Sequence, residues 1–433
     1  MPFEAHTNTR LIGVLACVLL LAGAMPSIAC GASPSKVVLF TVSVKDFGAV
    51  GDGRHDDTRA FRKALQVAAQ RSGGTVRVPA GEYRLSSLAI PDGVRVIGSG
   101  MERSWLHGAV KAGSHVTLLD LKIGTEGKSF RLSPGAHDST FARCRFRGGG
   151  GESADCAVIM LGYGMGNDCA RITFSDCKVE CNLGVEDAQH SRDFNNISVF
   201  EVGAAGGSHV TDVTFKGCHI GVSNGVRSGS PRAGLEAFTD SSRGPVVHGW
   251  SNLRIVDCVF EATDEFCVDL ADMPISGTQV RASGPALIRD SVLKGGGLAE
   301  DSRWGYTICV ESPRDVVIEG NTVYRASNNT FKMGHGDMSF VAPKTIIRDN
   351  LFDLTRDTGA IQYPEVAYFY LKGAGNKFTG NTVVADVGRT IFELEQARDN
   401  TIVDNTLRVP RAATLFAIGG GSSGNVTAPN SIE

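Results

Sequence analysis

The sequence predicts an all-β fold, a single-stranded right-handed parallel β-helix whose solenoid of about ten or more coils is capped at its N-terminal end by a helix. Three observations predict it. A short apolar motif recurs ten times, an apolar-X-apolar triplet recurs between its copies, and one amphipathic segment stands ahead of both. The bulk composition agrees. Of 433 residues, 42% are hydrophobic and 21% charged, and 53 are glycine, which fits a globular chain built from many short strands and turns. The formal net charge of −3 gives no reason to expect nucleic acid as a partner.

In chain order, the first element is an export signal. Arg10 precedes an apolar run from Leu11 to Ala24, and Ala22-Gly23-Ala24 is an A-x-A cleavage pattern. A second cut, before Cys30 and after Ser27-Ile28-Ala29, resembles a bacterial lipoprotein box and makes Cys30 a candidate lipid anchor. Residues 1–29 are therefore expected to be a signal peptide. No later segment is apolar over a membrane-spanning length. The expected location is secreted or periplasmic, with an outer-membrane lipoprotein as the alternative.

Residues 40–420 are expected to form the β-helix. Asp56-Asp57-Thr58 is a capping triplet for a helix running to about Gln70, with Ala60, Phe61, Ala64, Leu65 and Ala68 on one face. A solenoid needs a cover over its open core, and this helix suits that role. The coils follow. Their motif reads apolar, two residues, a key position, one residue, apolar, as in Phe141-Cys144-Phe146 and Ile347-Asn350-Phe352. Key positions fall at Leu121, Cys144, Cys177, Cys218, Cys258, Ser291, Asn321, Asn350, Asn381 and Asn405, separated by 23 to 41 residues. The shortest interval fits one bare coil, and the longer ones fit the same coil carrying loops.

Equivalent residues of adjacent coils stack about 4.8 Å apart. The asparagine positions therefore predict a ladder of side-chain amides, and the cysteine positions a ladder of small buried thiols. Consecutive cysteines in one column do not meet disulfide geometry easily, so Cys144, Cys177, Cys218 and Cys258 are expected to be unpaired. Cys169 with Cys181 is a possible disulfide, and the status of Cys156 is open. The glycine-, serine- and asparagine-rich segment 421–433 is expected to be a flexible tail.

A second strand recurs upstream of each motif copy. Alternation places the flanking apolar residues inside and the middle residue outside. The outward column reads Met160, Glu201, Glu236, Asp269, Cys309, Lys332, Tyr370, Glu393 and Ala417. Stacked carboxylates at Glu201, Glu236 and Asp269 repel one another unless a cation or a substrate charge intervenes, and a fold gains nothing from that.

The stretch from Val44 to Ala68, VKDFGAVGDGRHDDTRAFRKALQVA, followed by GGTVRVPAGEYRL from Gly73 to Leu85, resembles the N-terminal signature of the pectate lyase superfamily. That resemblance implies the right-handed β-helix and a polysaccharide substrate. Asp52, Asp56 and Asp57 belong to the resembled capping motif and are read as structural. The polygalacturonases of this superfamily carry N-T-D and R-I-K, which are absent here, although Gly334-His335-Gly336 and Thr263-Asp264-Glu265 are present. The D-P-H motif of the related epimerases is absent too.

Two mechanisms can use the outward column. In a lyase, a Ca²⁺ bound by Glu201, Glu236 and Asp269 neutralises a uronate carboxylate and acidifies the proton at C5. Lys332, His335 or an arginine then removes that proton, with Glu236 and Asp269 completing the catalytic set. In an inverting hydrolase of polygalacturonase type, paired carboxylates about 6.5–9.5 Å apart protonate the leaving oxygen and activate water. Basic residues follow directly on the acidic ones along the column, which favours the lyase acting on an acidic polysaccharide. Arg243, Arg303, Trp304, Tyr370 and Asp272 are expected substrate contacts. The non-enzymatic alternative, a carbohydrate-binding or cell-surface β-helix, calls for exposed aromatic platforms among Trp250, Trp304, Tyr163, Tyr306 and Tyr370.

Overall fold

A computed structural model describes residues 40–71, 73–124, 130–148, 158–162, 168–181, 195–202, 209–222, 233–240, 250–261, 266–273, 283–295, 306–311, 313–324, 329–333, 344–355 and 367–433. The export signal and Cys30 lie outside them. No helix among the described residues is long and apolar enough to cross a membrane.

The chain winds as a right-handed parallel β-helix with three faces. The first face begins with Thr41–Ser43 and ends with Thr401–Val403, thirteen described strands in parallel register. The second runs from Lys122–Ile123 to Ser431–Ile432, and the third from Phe130–Leu132 to Phe416–Ile418. At the N-terminal end the strand Ser104–Ala112 pairs with both of their opening strands.

The helix α1, Thr58–Ala69, buries Ala60, Phe61, Ala64, Leu65 and Ala68 as its spacing predicts. Phe61 meets the Tyr83 ring edge-on at 5.2 Å between centroids, so the helix closes the lumen with aromatic contact. Asp57 stands at the N-cap but does not cap the helix with its side chain. Its carboxylate instead accepts from the amides of Val50 at 2.6 Å and Gly51 at 2.9 Å, tying the preceding loop to the helix start.

The repeating turn explains the key position. The residue before each key residue sits in the left-handed region: Asp176, Asp257, Asp290, Asp349 and Asp404 have φ between 52° and 59°. Aspartate tolerates this conformation better than most residues, and Gly217, Gly320 and Gly380 adopt it without a Cβ penalty. The turned chain then points the key side chain inward. Asn350 donates from Nδ2 to Asn381 Oδ1, Ile318 O and Arg348 O, each at 2.9 Å, and its Oδ1 accepts from the backbone and side-chain amides of Asn321. Every amide in this ladder is satisfied, which is what makes a buried asparagine tolerable. A second asparagine ladder, Asn376–Asn400–Asn425, runs at the other end of the first face and was not legible as a repeat.

The cysteine column behaves as expected. Cys144, Cys177, Cys218 and Cys258 are buried thiols, each donating to the carbonyl two residues earlier. Burial pushes the Cys144 thiol up to about 12. Of the pair raised as a disulfide, Cys169 is buried and the Cys181 side chain lies outside the described residues, as does Cys156.

The tail expected to be flexible forms a further turn of the solenoid. Ser431–Ile432 pairs in register with Thr406–Arg408, and Asn425 and Asn430 extend the two ladders, accepting from the amides of Asn400 and Asn405. A Gly- and Ser-rich composition reads as a loop, but here it supplies the tight turns between ladder positions.

Candidate active site

The outward column lies on the third face, and its register follows from the strand pairs. Glu236 partners Asp269, then Cys309, Lys332, Tyr370, Glu393 and Ala417 follow in turn. Neighbours are therefore one strand spacing apart, about 4.8 Å. Leu235, Ala237, Val268 and Leu270 on either side are fully buried in the lumen, so alternation turns Glu236 and Asp269 away from it. Yet Glu236 is 6% exposed and Asp269 4%. Two carboxylates are thus shut from water side by side on an outer face. Burial of two adjacent carboxylates disfavours their both carrying charge unless neighbouring groups compensate it.

One member of the expected cluster is displaced. Ser198, not Glu201, is the partner of Glu236, and Glu201 pairs with Thr239 three residues further along the strand. Ile197-Ser198-Val199 and Phe200-Glu201-Val202 both read apolar-X-apolar, so the pattern alone cannot choose between them; the pairing of Asn195 with Ala233 does. Three residues of strand amount to about 10 Å. A cradle of three adjacent carboxylates for Ca²⁺ is therefore not formed by Glu201, Glu236 and Asp269.

Further along the column, the buried Cys309 thiol donates to Glu311 at 3.5 Å and packs with Phe266 and Tyr306 in a small apolar cluster separate from the lumen core. Lys332 occupies the next register position, with its side chain outside the described residues. The hydroxyl of Tyr370 donates to the carboxylate of Glu395. Burial, then that bond and the charges of Glu395 and Glu393, hold the phenol far above its usual range, so it is a neutral donor at physiological pH. Burial and the charge of Glu395 likewise raise Glu393. Glu395 and the buried Lys372 were not singled out from the sequence; their signal was a place two residues from a column member on the same strand.

Several expected contacts lie elsewhere. Trp250 is 1% exposed and belongs to the lumen core, and Tyr306 is buried, so neither is a platform for sugar. His335, Arg243, Arg303, Trp304, Tyr163 and Asp264 lie outside the described residues. Asp272 holds a backbone position paired with Thr239, and its side chain also lies outside them. Asp52 and Asp56 bond local groups of the cap, consistent with a structural role: Asp52 accepts from the amides of Arg54 and His55, and Asp56 from that of Thr58.

A family model described as Rhamnogalacturonase A/epimerase, pectate lyase-like matches residues 41–263. Mannuronan C5-epimerase AlgE3 of Azotobacter vinelandii is 48% identical over 67 residues, covering 14% of this chain and 4% of that protein. Alginate lyase 7 of the same organism is 46% identical over 67 residues, covering 14% of this chain and 8% of its own length. The chain thus spans a small fraction of these relatives. Among solved structures, the A-module of the Azotobacter vinelandii mannuronan C-5 epimerase AlgE4 superposes with a TM-score of 0.59 at 16% identity, over 88% of this chain and 99% of the module. The Streptococcus pneumoniae surface adhesin PfbA superposes with a TM-score of 0.58 at 14% identity, over 87% and 91%. At these identities the likeness is one of fold, which an epimerase module and an adhesin share.

Proposed function

The chain belongs to the rhamnogalacturonase A/epimerase, pectate lyase-like family, and from that premise we propose that it is an exported enzyme that cleaves an acidic, uronate-containing polysaccharide by β-elimination at the third face. The observation that carries this is the pair of buried carboxylates, Glu236 and Asp269, set in one register column with Lys332 and Tyr370. Removing the proton at C5 of a uronate requires the adjacent carboxylate to be neutralised, or the carbanion is too unstable. A proton or a cation held between Glu236 and Asp269 would supply that neutralisation. Lys332 is the base that takes the C5 proton. Tyr370, whose hydroxyl rests on the Glu395 carboxylate, turns its proton to the departing glycosidic oxygen when substrate binds. Strand spacing of about 4.8 Å does not decide the hydrolase alternative, since an inverting carboxylate pair needs roughly 6.5–9.5 Å, which residues one or two coils apart bracket, and a retaining pair about 5–5.5 Å.

A second reading shares the first step. The similar proteins include mannuronan C5-epimerases as well as an alginate lyase, and return of a proton to the opposite face of C5 gives epimerisation instead of cleavage. One assay separates the outcomes. Incubated with mannuronate, guluronate and galacturonate polymers, a lyase yields unsaturated ends that absorb in the ultraviolet. An epimerase alters the C5 configuration by proton NMR without that absorbance. Reducing ends without absorbance mean hydrolysis, and no change in any polymer defeats the enzymatic reading.

A further inference from the structure

The N-terminal coils carry an aromatic and cationic patch on the outer side of the second face, which the chemistry above does not use. Trp105 lies in the strand Ser104–Ala112 and partners Lys122, which in turn partners Arg145. The indole is pinned. Its N–H donates to the Gly124 carbonyl at 3.0 Å, and the His107 ring stacks on it at 4.7 Å between centroids with 24° between planes. The Lys122 ammonium stands over the ring, 3.5 Å from its centroid. Trp105 nevertheless remains partly exposed.

The charges around it are unevenly matched. Arg145 is taken up by Glu102 at 2.6 Å and Glu180 at 2.7 Å. Among the described residues, no carboxylate lies within ion-pair distance of Lys122. Arg147 stands two residues beyond Arg145 on the strand that pairs with Lys122's, and burial with the charges of Arg145 and Arg147 outweighs those of Glu102 and Glu180 to hold the Lys122 ammonium below its usual range. A cation crowded by guanidiniums over an indole gains from the arrival of an anion. A hexuronate brings both complements at once: a C–H face that packs on an aromatic ring and a carboxylate at the ring's edge.

We propose that Trp105, Lys122 and Arg147 form a second polysaccharide-binding site, in which a uronate ring takes the indole face now covered by Lys122 and the displaced ammonium meets its carboxylate. The site anchors polymer away from the reacting column and performs no chemistry. The class of ligand rests on the function proposed above; the geometry of the site does not.

The test is affinity electrophoresis of the full chain through gels containing polymannuronate or polyguluronate, with neutral dextran as control. Wild type is expected to be retarded by the uronates alone. Lys122→Gln and Trp105→Ala are each expected to raise the apparent dissociation constant on the order of fivefold. Lys122→Gln keeps a partly buried polar side chain of similar length, and a melting temperature equal to wild type measured beside it excludes misfolding as the cause of lost retardation. Asp269→Asn should retain the Lys122-dependent retardation. Wild-type migration that ignores the uronates, or variants retarded as strongly as wild type, would overturn the site. If instead no polyuronate is converted but the Lys122-dependent retardation stands, the enzymatic reading falls and this one survives.

Discussion

At Glu393 a carboxylate on the outer column is partly withdrawn from water beside Glu395, and its titration is raised by that burial first and by its neighbour second. A carboxyl whose folded pKa lies above its unfolded value stabilises the fold below the unfolded value, near 4.3, and loses that contribution as pH rises through the folded one. Glu393→Gln should therefore raise the melting temperature at pH 8 and leave it nearly unchanged at pH 4; differential scanning fluorimetry at both values checks this, and a fall at pH 8 contradicts it. Register decides which side chains can act together at this scale, and residue type does not reveal it. Alternation identified eight of the nine outward positions as the strands pair them, but Glu201 was preferred to Ser198 because both triplets satisfy the same pattern. Trp250 fared worse for a different reason. An indole in a loop-rich stretch reads as a surface platform, while a lumen wide enough to take one is visible only in three dimensions.

Among the elements, the ladders and the capping helix make the strongest demands on particular side chains. The Asn350 side chain takes part in five hydrogen bonds, so Asn350→Ala leaves amides and carbonyls of adjacent coils without partners. The expected loss is about 2–4 kcal/mol by urea denaturation, and a value near zero would contradict the ladder. Phe61→Ala should cost about 3–5 kcal/mol, because it opens the lumen at its covered end. The thiol column makes a chemical prediction: in native protein Cys144, Cys177, Cys218 and Cys258 should resist alkylation by iodoacetamide and react after unfolding, as peptide mass spectrometry can read. Helix, triplets and first ladder were all legible because each repeats a period or a cap. The second ladder was not. It appears as asparagine only over its last three described rungs, and earlier coils fill the same place with Val116, Ser139 and Ile172.

For the whole molecule, a solenoid's stability is the sum of its coils and the contacts between neighbours. The last coil is part of that sum, since residues 419–433 pair with the preceding one. Ending the chain after Ile418 should lower the melting temperature, whereas trimming a frayed tail would not. The same stacking brings residues some thirty positions apart in sequence onto one face and sets the carboxylate pair in line with Lys332 and Tyr370. The recurring motifs revealed the architecture and the family signature the broad class, but His335, Arg243 and Trp304 fall in stretches between motif copies, where no period constrains the sequence. The most direct measurement is kcat/KM of Asp269→Asn on the polyuronate that wild type converts best, with circular dichroism to confirm the fold. A loss on the order of a hundredfold or more is expected if the carboxylate pair neutralises the substrate; a folded variant with wild-type turnover would contradict it.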